Sequence, residues 1–317
     1  MHVGRFDKAT IGFLFLAVAM LISERSALAQ AAKKPKYPPP EDITLETSDG
    51  ASIRATWYAG LAKKESVPII MVHGWEGSRG EYDQLAKGLQ TLGHSSIVPD
   101  LRGHGDSKTQ KLASGGSKAL ELDKMRGREL EAMTYDLEAC KKFLMEKNNA
   151  GECNIDMLCV IGADFGTILA LRYAALDWSV PNLPAFRQGQ DVKALILLSP
   201  SQAEKGLTVR DALAHPAIQS QLSVMLVAGK QDSKGTQEAK RLHTTLQAHR
   251  PKPPTDPEEQ KKKQDVFLVQ PETSLKGTKL LGSGLPVSQN IARFLDLRLA
   301  SKKGEFPWQE RKNPLNN

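Results

Sequence analysis

Apolar residues along this chain fall into two rhythms, short continuous runs and longer stretches of helical spacing, and the two alternate. Val67-Pro68-Ile69-Ile70-Met71-Val72, Val192 to Leu198 and Ser223 to Gly229 are runs of strand length. They are too uniformly apolar for a sheet with one wet face, so they predict strands covered on both sides. Met157 to Ile161 is a further such run, Ser96 to Pro99 a shorter one, and Asp265 to Val269 predicts the last strand. Between them, residues 80–92, 122–146, 235–248 and 287–299 carry apolar positions near i, i+3 and i+4, which predicts helices. At the front, Ile43 to Thr47 and Ile53 to Tyr58 alternate apolar and polar residues around Ser48-Asp49-Gly50, an Asp-Gly hairpin signal.

Alternating buried strands and helices predict an α/β domain: a mostly parallel central sheet with helices on both faces and an N-terminal β-hairpin. The domain is expected over residues 41–300. Residues 108–118 (Gly, Ser and Lys-rich) and 250–264 (Pro-rich and charged, without apolar periodicity) read as loops, the second mobile. The connection from Pro200 to Leu222 is too short for a separate cap domain, and residues 301–317 read as a flexible tail that frays. No internal repeat is visible.

Composition refines this picture at the ends. Arg5 and Lys8 precede an apolar core from Ile11 to Ile22, and Ala27-Leu28-Ala29 gives the small-x-small pattern of a cleavage site before Gln30. Residues 1–29 are therefore expected to be a signal peptide, and the protein to be exported to the periplasm or beyond the cell. Twelve apolar residues are few for a bilayer span, so no stable membrane insertion is expected. Residues 30–40 form a Lys/Pro-rich linker. The formal charge of +7 comes largely from terminal and linker lysines, with no basic helix interleaved with aromatics, so nucleic-acid binding is not expected. There is no Cys-x-x-Cys and no histidine cluster, hence no expected metal, and no cofactor fingerprint. Of the three cysteines, Cys159 reads as a small buried residue. Cys140 and Cys153 flank one helix-to-strand connection, where an oxidising compartment would permit a disulfide that sequence alone does not establish.

The candidate chemistry lies where the fourth apolar run meets a helix. Gly162-Ala163-Asp164-Phe165-Gly166 breaks the run and is followed by an apolar helical segment. This is the layout of a nucleophile elbow, in which a sharp strand-to-helix turn lifts one residue above the sheet. Two further loops follow strands: Val72-His73-Gly74-Trp75, and Asp100-Leu101-Arg102-Gly103-His104-Gly105-Asp106-Ser107. In this order and at this spacing the three resemble the α/β-hydrolase superfamily along essentially the whole domain. The resemblance implies an oxyanion hole from the backbone N–H groups of Trp75 and Phe165. It also implies an acid at Asp232, in Gly229-Lys230-Gln231-Asp232, although a helix-capping role would explain that Asp as well.

Two positions depart from the superfamily's pattern. The elbow apex is Asp164 rather than Ser or Cys, and Lys276 stands where the catalytic His is expected, with no histidine after His249. Relatives with an Asp nucleophile, the haloalkane dehalogenases and epoxide hydrolases, form an ester on carbon that a His-activated water then cleaves. Here the Asp is followed by Phe165 rather than Trp, and no cap-sized insertion is present. A lysine with a pKa of ~10.4 is protonated at neutral pH and is no base. The three side chains Asp164, Lys276 and Asp232 are therefore expected to form a structural ion cluster in a degenerate triad. The resulting expectation is a non-catalytic or impaired fold member that binds an unidentified small molecule or partner. The competing expectation is an active hydrolase of a small ester, epoxide or haloalkane with Asp164 as nucleophile and His215 or water as base. A serine nucleophile at Ser78 or Ser107 is the weakest alternative, since neither lies on an elbow.

Overall fold

The computed structural model of the protein describes residues 37–182 and 187–311. The expected signal peptide and most of the linker lie outside them. Twelve strands follow in chain order: β1 (Glu41–Glu46), β2 (Ala51–Tyr58), β3 (Pro68–Val72), β4 (Ser95–Pro99), β5 (Thr109–Lys111) and β6 (Ser117–Ala119), then β7 (Leu158–Ala163), β8 (Val192–Leu198), β9 (Ala203–Glu204), β10 (Leu207–Thr208), β11 (Ser223–Val227) and β12 (Val266–Val269). Ten of these make one sheet in the order β12-β11-β8-β7-β3-β4-β2-β5-β6, with β1 also paired to β2. From β12 to β4 every pairing is parallel, while β2 runs antiparallel to β4 and to β1. This is the α/β-hydrolase fold, with the N-terminal strand pair that the Asp-Gly signal predicts.

The helices are α1 (Asp83–Thr91), α2 (Arg128–Glu131), α3 (Thr134–Asn149), α4 (Phe165–Ser179), α5 (Arg210–Ala214), α6 (Pro216–Ser220), α7 (Ser233–Gln247), α8 (Pro257–Lys263) and α9 (Val287–Arg298). Because successive strand side chains point to opposite faces, each apolar run feeds two cores. Ile70, Val72 and Val160 pack with Leu137 and Leu144 of α3 and Ile168 of α4 on one face. Ile69, Met71, Cys159 and Ile161 pack with Leu85 of α1 and Ile291 and Leu295 of α9 on the other. Uniform hydrophobicity in β3 and β7 is what burial on both faces requires.

The structure differs from the sequence reading in four segments. The helix expected over 122–146 is broken: Gly127 adopts φ 44°, ending a first turn, and the regular helix is α3. The loop expected at 108–118 forms β5 and β6, because its backbone finds partners along β2 at Ala51 and Ser52. The loop expected at 250–264 contains α8, whose Asp256 side chain accepts from the Glu258 and Glu259 N–H groups ahead of Pro257 at the first turn. The tail expected to fray from residue 301 is anchored through Arg311, which is buried against Asp156 and Asp191. Cys140, Cys153 and Cys159 are all buried free thiols.

Candidate active site

Asp164 sits between β7 and α4 with φ 48° and ψ −118°. A non-glycine residue rarely holds a positive φ, and such strain persists only where surroundings over-determine it. Here the Asp164 N–H donates to the Leu198 carbonyl at 2.9 Å, and its carbonyl accepts from the Thr167 N–H at 2.9 Å and the Thr167 hydroxyl at 2.6 Å. The flanking glycines leave room for the bend. A Cβ on Gly166 would lie 2.5 Å from the Val72 carbonyl oxygen, and one on Gly162 would overlap the Gly166 carbonyl.

The loop after β3 abuts the apex. A Cβ on Gly74 would stand 3.2 Å from the Asp164 Cβ and 3.3 Å from its Oδ2. Neither the Trp75 N–H nor the Phe165 N–H donates to a protein acceptor among the described residues. His73 fixes this loop: its Nδ1 donates to the Gly74 carbonyl at 2.7 Å and its Nε2 accepts from the Leu101 N–H at 3.0 Å. One ring nitrogen must be unprotonated for that pattern, and burial pushes the His73 pKa down to about 4. The Trp75 ring packs edge-on against Phe165 at 5.3 Å and against His104 at 5.4 Å.

The expected three-member ion cluster is not formed. Lys276 Nζ lies 3.0 Å from Asp232 Oδ1, whereas the Asp164 carboxylate has no ion pair within 4 Å and accepts no hydrogen bond among the described residues. Gly277 (φ 54°) lays its backbone directly on the Asp164 carboxylate, so close that a Cβ there would overlap Oδ2. Its N–H donates to the Ser199 hydroxyl at 2.8 Å. Lys276, the preceding residue, reaches Asp232 instead. Asp232 occupies the N-cap position of α7 but makes no side-chain cap; its buried carboxylate faces Lys276 instead.

A cavity of about 140 Å³ opens on this constellation, lined among others by Asp164, Ser199, Glu204, Asp232, Glu238 and Lys276. Burial raises the Asp164 pKa to about 6, reinforced by the negative fields of Glu204, Glu81 and Asp232 and partly offset by Lys276. Glu204 is itself raised, first by burial. No histidine nitrogen lies within 4 Å of the Asp164 carboxylate among the described residues. His215, the candidate replacement base, caps α6 by accepting from the Ala217 N–H at 3.2 Å. Ser78 belongs to a capping box ahead of α1, and the buried Ser107 hydroxyl accepts from the Arg54 N–H and donates to the Asp100 carbonyl. Neither serine is on an elbow. Among the described residues no group of His, Cys, Asp or Glu could hold a metal, and no helix is long and apolar enough to cross a membrane.

Sequence reasoning missed the contribution of β9 and β10. They pair as a hairpin, Glu204 opposite Leu207, across a two-residue turn in which Lys205 (φ 53°) and Gly206 (φ 86°) are both left-handed. That is a type I′ turn. Lys205-Gly206 between two short β-compatible pairs was the available signal, too short to stand out.

The chain belongs to the α/β-hydrolase family: the family described as alpha/beta hydrolase fold matches residues 67–298. Among solved structures, it is similar to the esterase Pf2001 of Pyrococcus furiosus, with a TM-score of 0.58 and 16% identity over 82% of this chain and 93% of that one. It is also similar to EstE1, a thermophilic carboxylesterase from a metagenomic library (TM-score 0.56, 17% identity, 92% and 97% covered). A dienelactone hydrolase from Anabaena variabilis gives a TM-score of 0.54 at 14% identity, with 86% and 99% covered. At these identities the likeness is one of fold. A comparison with curated proteins finds no match.

Proposed function

We infer that this protein is an exported α/β-hydrolase-fold binding protein whose triad positions, Asp164, Lys276 and Asp232, no longer turn over esters. One observation carries the reading: the apex carboxylate has no imidazole within reach, and the lysine at the expected histidine position is committed to Asp232. A carboxylate that attacked an ester's acyl carbon would form an anhydride and expel the alkoxide, whereas one that attacked a haloalkane or an epoxide would form an alkyl ester as halide leaves or as the ring opens to an alkoxide. Discharging either intermediate requires a neutral acceptor for the proton of the attacking water. Lys276 is engaged with Asp232 Oδ1 at 3.0 Å and does not stand at the apex carboxylate. The export part of the reading rests on the sequence of residues 1–29 and is tested by the mass of the mature N-terminus, expected to begin at Gln30.

A specific observation favours a second reading. The strained apex is retained, and the Trp75 and Phe165 amides donate to no protein acceptor among the described residues. Asp164 would then be a competent nucleophile toward a small ester, epoxide or haloalkane. Incubation with one of each, followed by intact mass, separates the two. No adduct and no turnover supports the binding protein. A stable adduct that disappears in Asp164→Asn supports a nucleophile that traps its ester, and turnover lost in Asp164→Asn supports a hydrolase.

A further inference from the structure

Two exposed leucines sit on adjoining turns where the chain enters the domain. Leu61 follows β2 and is 40% exposed; Leu92 follows α1 and is 56% exposed. The two turns touch: the Ala62 N–H donates to the Gly93 carbonyl at 3.1 Å, and a Cβ on Gly60 would overlap that carbonyl. Gln90, two residues before Leu92, donates its side-chain amide to the Ala59 carbonyl at 2.9 Å and to the Pro38 carbonyl at 3.0 Å. The N-terminal linker therefore joins the domain beside these turns. A single exposed leucine calls for no explanation, but two on touching turns at the end of a basic linker mark an interaction surface.

Charge says what that surface fits. Lys33, Lys34 and Lys36 lie two to five residues ahead of Pro38, so a chain spanning at most ~3.6 Å per residue keeps them within about 18 Å of it. Lys63 and Lys64, in the turn after Leu61, are exposed and make no ion pair with an acid among the described residues; Lys64 Nζ lies over the Trp308 ring at 3.6 Å. Most acids of the neighbouring elements are already answered. Glu65 pairs with Lys303 at 2.7 Å, Asp83 with Lys87 at 2.6 Å and Asp42 with Arg79 at 3.9 Å. Glu41 and Asp296, whose field reaches the buried His94, have no such partner among the described residues. Five lysines against two unpaired acids leave this end basic. Exposed apolar side chains together with lysines are the combination that holds a protein on an anionic bilayer, the apolar groups entering at headgroup depth and the ammoniums meeting lipid phosphates.

We propose that this end of the molecule docks on an anionic lipid surface, with Leu61 and Leu92 entering the headgroup region and the lysines of the linker and of the 61–65 turn facing the phosphates. The surface is separate from the cavity at Asp164, which none of these residues lines. Docking of this kind needs no spanning helix, and none among the described residues is long and apolar enough to be one.

The test places the environment-sensitive fluorophore NBD on Leu92→Cys and, for comparison, on Leu112→Cys. Leu112 is also exposed but lies by the start of β2, at the other end of that strand from Leu61, where the Lys111 N–H donates to the Gly50 carbonyl at 2.8 Å. Labelling is selective because Cys140, Cys153 and Cys159 are buried. Each labelled protein, checked for folding by circular dichroism, is titrated with vesicles of phosphatidylcholine alone and of phosphatidylcholine mixed with phosphatidylglycerol. The Leu92 probe is expected to brighten about twofold or more and shift to the blue with the anionic vesicles only, and to lose that response in about 1 M salt, where the screening length is ~3 Å. The Leu112 probe is expected to stay unchanged. Adding Lys63→Gln and Lys64→Gln to the Leu92 probe protein is expected to weaken its affinity for anionic vesicles about tenfold or more, at roughly fivefold per lysine. The probe reports its own surroundings, so the result holds whether or not residues 1–29 are removed. No response to anionic vesicles, an equal response to both vesicle types, or an equal response of both probes would overturn the proposal. A response that grows with protein concentration without lipid would overturn it in favour of a second copy of the chain as the occupant.

Discussion

At the scale of single residues, Asp164 is an ionisable group kept where ionisation is costly. Its pKa is raised from 3.8 to about 6, so the folded state holds the proton more tightly than the unfolded chain. The favourable contribution is complete below about pH 4 and is lost as pH rises through about 6, leaving an ionised, unpaired carboxylate that destabilises the fold at neutral pH. Asp164→Asn is therefore expected to unfold about 1–2 kcal/mol later than wild type at pH 8, after allowance for solvent screening, with the advantage shrinking toward pH 4. Urea melts at the two pH values measure it, and an advantage equal at both would refute the assignment. Lys276→Ala should act in the opposite direction. It leaves the Asp232 carboxylate, 5% exposed, without its ion pair, a loss of about 1–2 kcal/mol once the half-exposed lysine is discounted.

At the scale of elements, the elbow is a fit between backbone segments. Its two glycines were readable from the sequence because a turn this tight admits no side chain on either flank. Gly166→Ala would push a methyl group against the Val72 carbonyl and is expected to cost about 3 kcal/mol or more, measured by chemical denaturation. The strands β3, β7, β8 and β11 were legible for a related reason: burial on both faces writes itself as a nearly continuous apolar run. What was not legible depended on partners distant in sequence. β5 and β6 are polar segments made into strands by an open edge of β2. That Lys276 pairs with Asp232 and leaves Asp164 without an ion pair is a matter of side-chain placement that no spacing argument reports. The residue types at the triad positions could be read off directly; which of them touch could not.

At the scale of the whole molecule, the C-terminal residues close a buried charge network. Arg311 reaches Asp156 and Asp191, Lys141 Nζ lies 2.9 Å from Asp191 and also pairs with Asp177, and the Arg311 backbone exchanges hydrogen bonds with Asn149 at 2.8 Å in both directions. Truncating one member of such a network strands its partners. Arg311→Ala is expected to destabilise the fold by about 3–5 kcal/mol, visible as a lowered Tm, although it touches no residue of the site. A frayed tail, as composition alone suggests, would leave Tm unchanged. The network runs between the start of β7, the end of α4 and the start of β8, so it holds the sheet whose other end carries the elbow.

The central claim is that the apex carboxylate cannot complete a catalytic cycle. The most direct measurement is the rate of p-nitrophenyl acetate hydrolysis by wild-type protein and by Asp164→Asn, side by side at pH 7.5. The two rates are expected to agree within about twofold and to show no saturation. A wild-type rate roughly tenfold or more above that of Asp164→Asn, saturating with substrate, would contradict it.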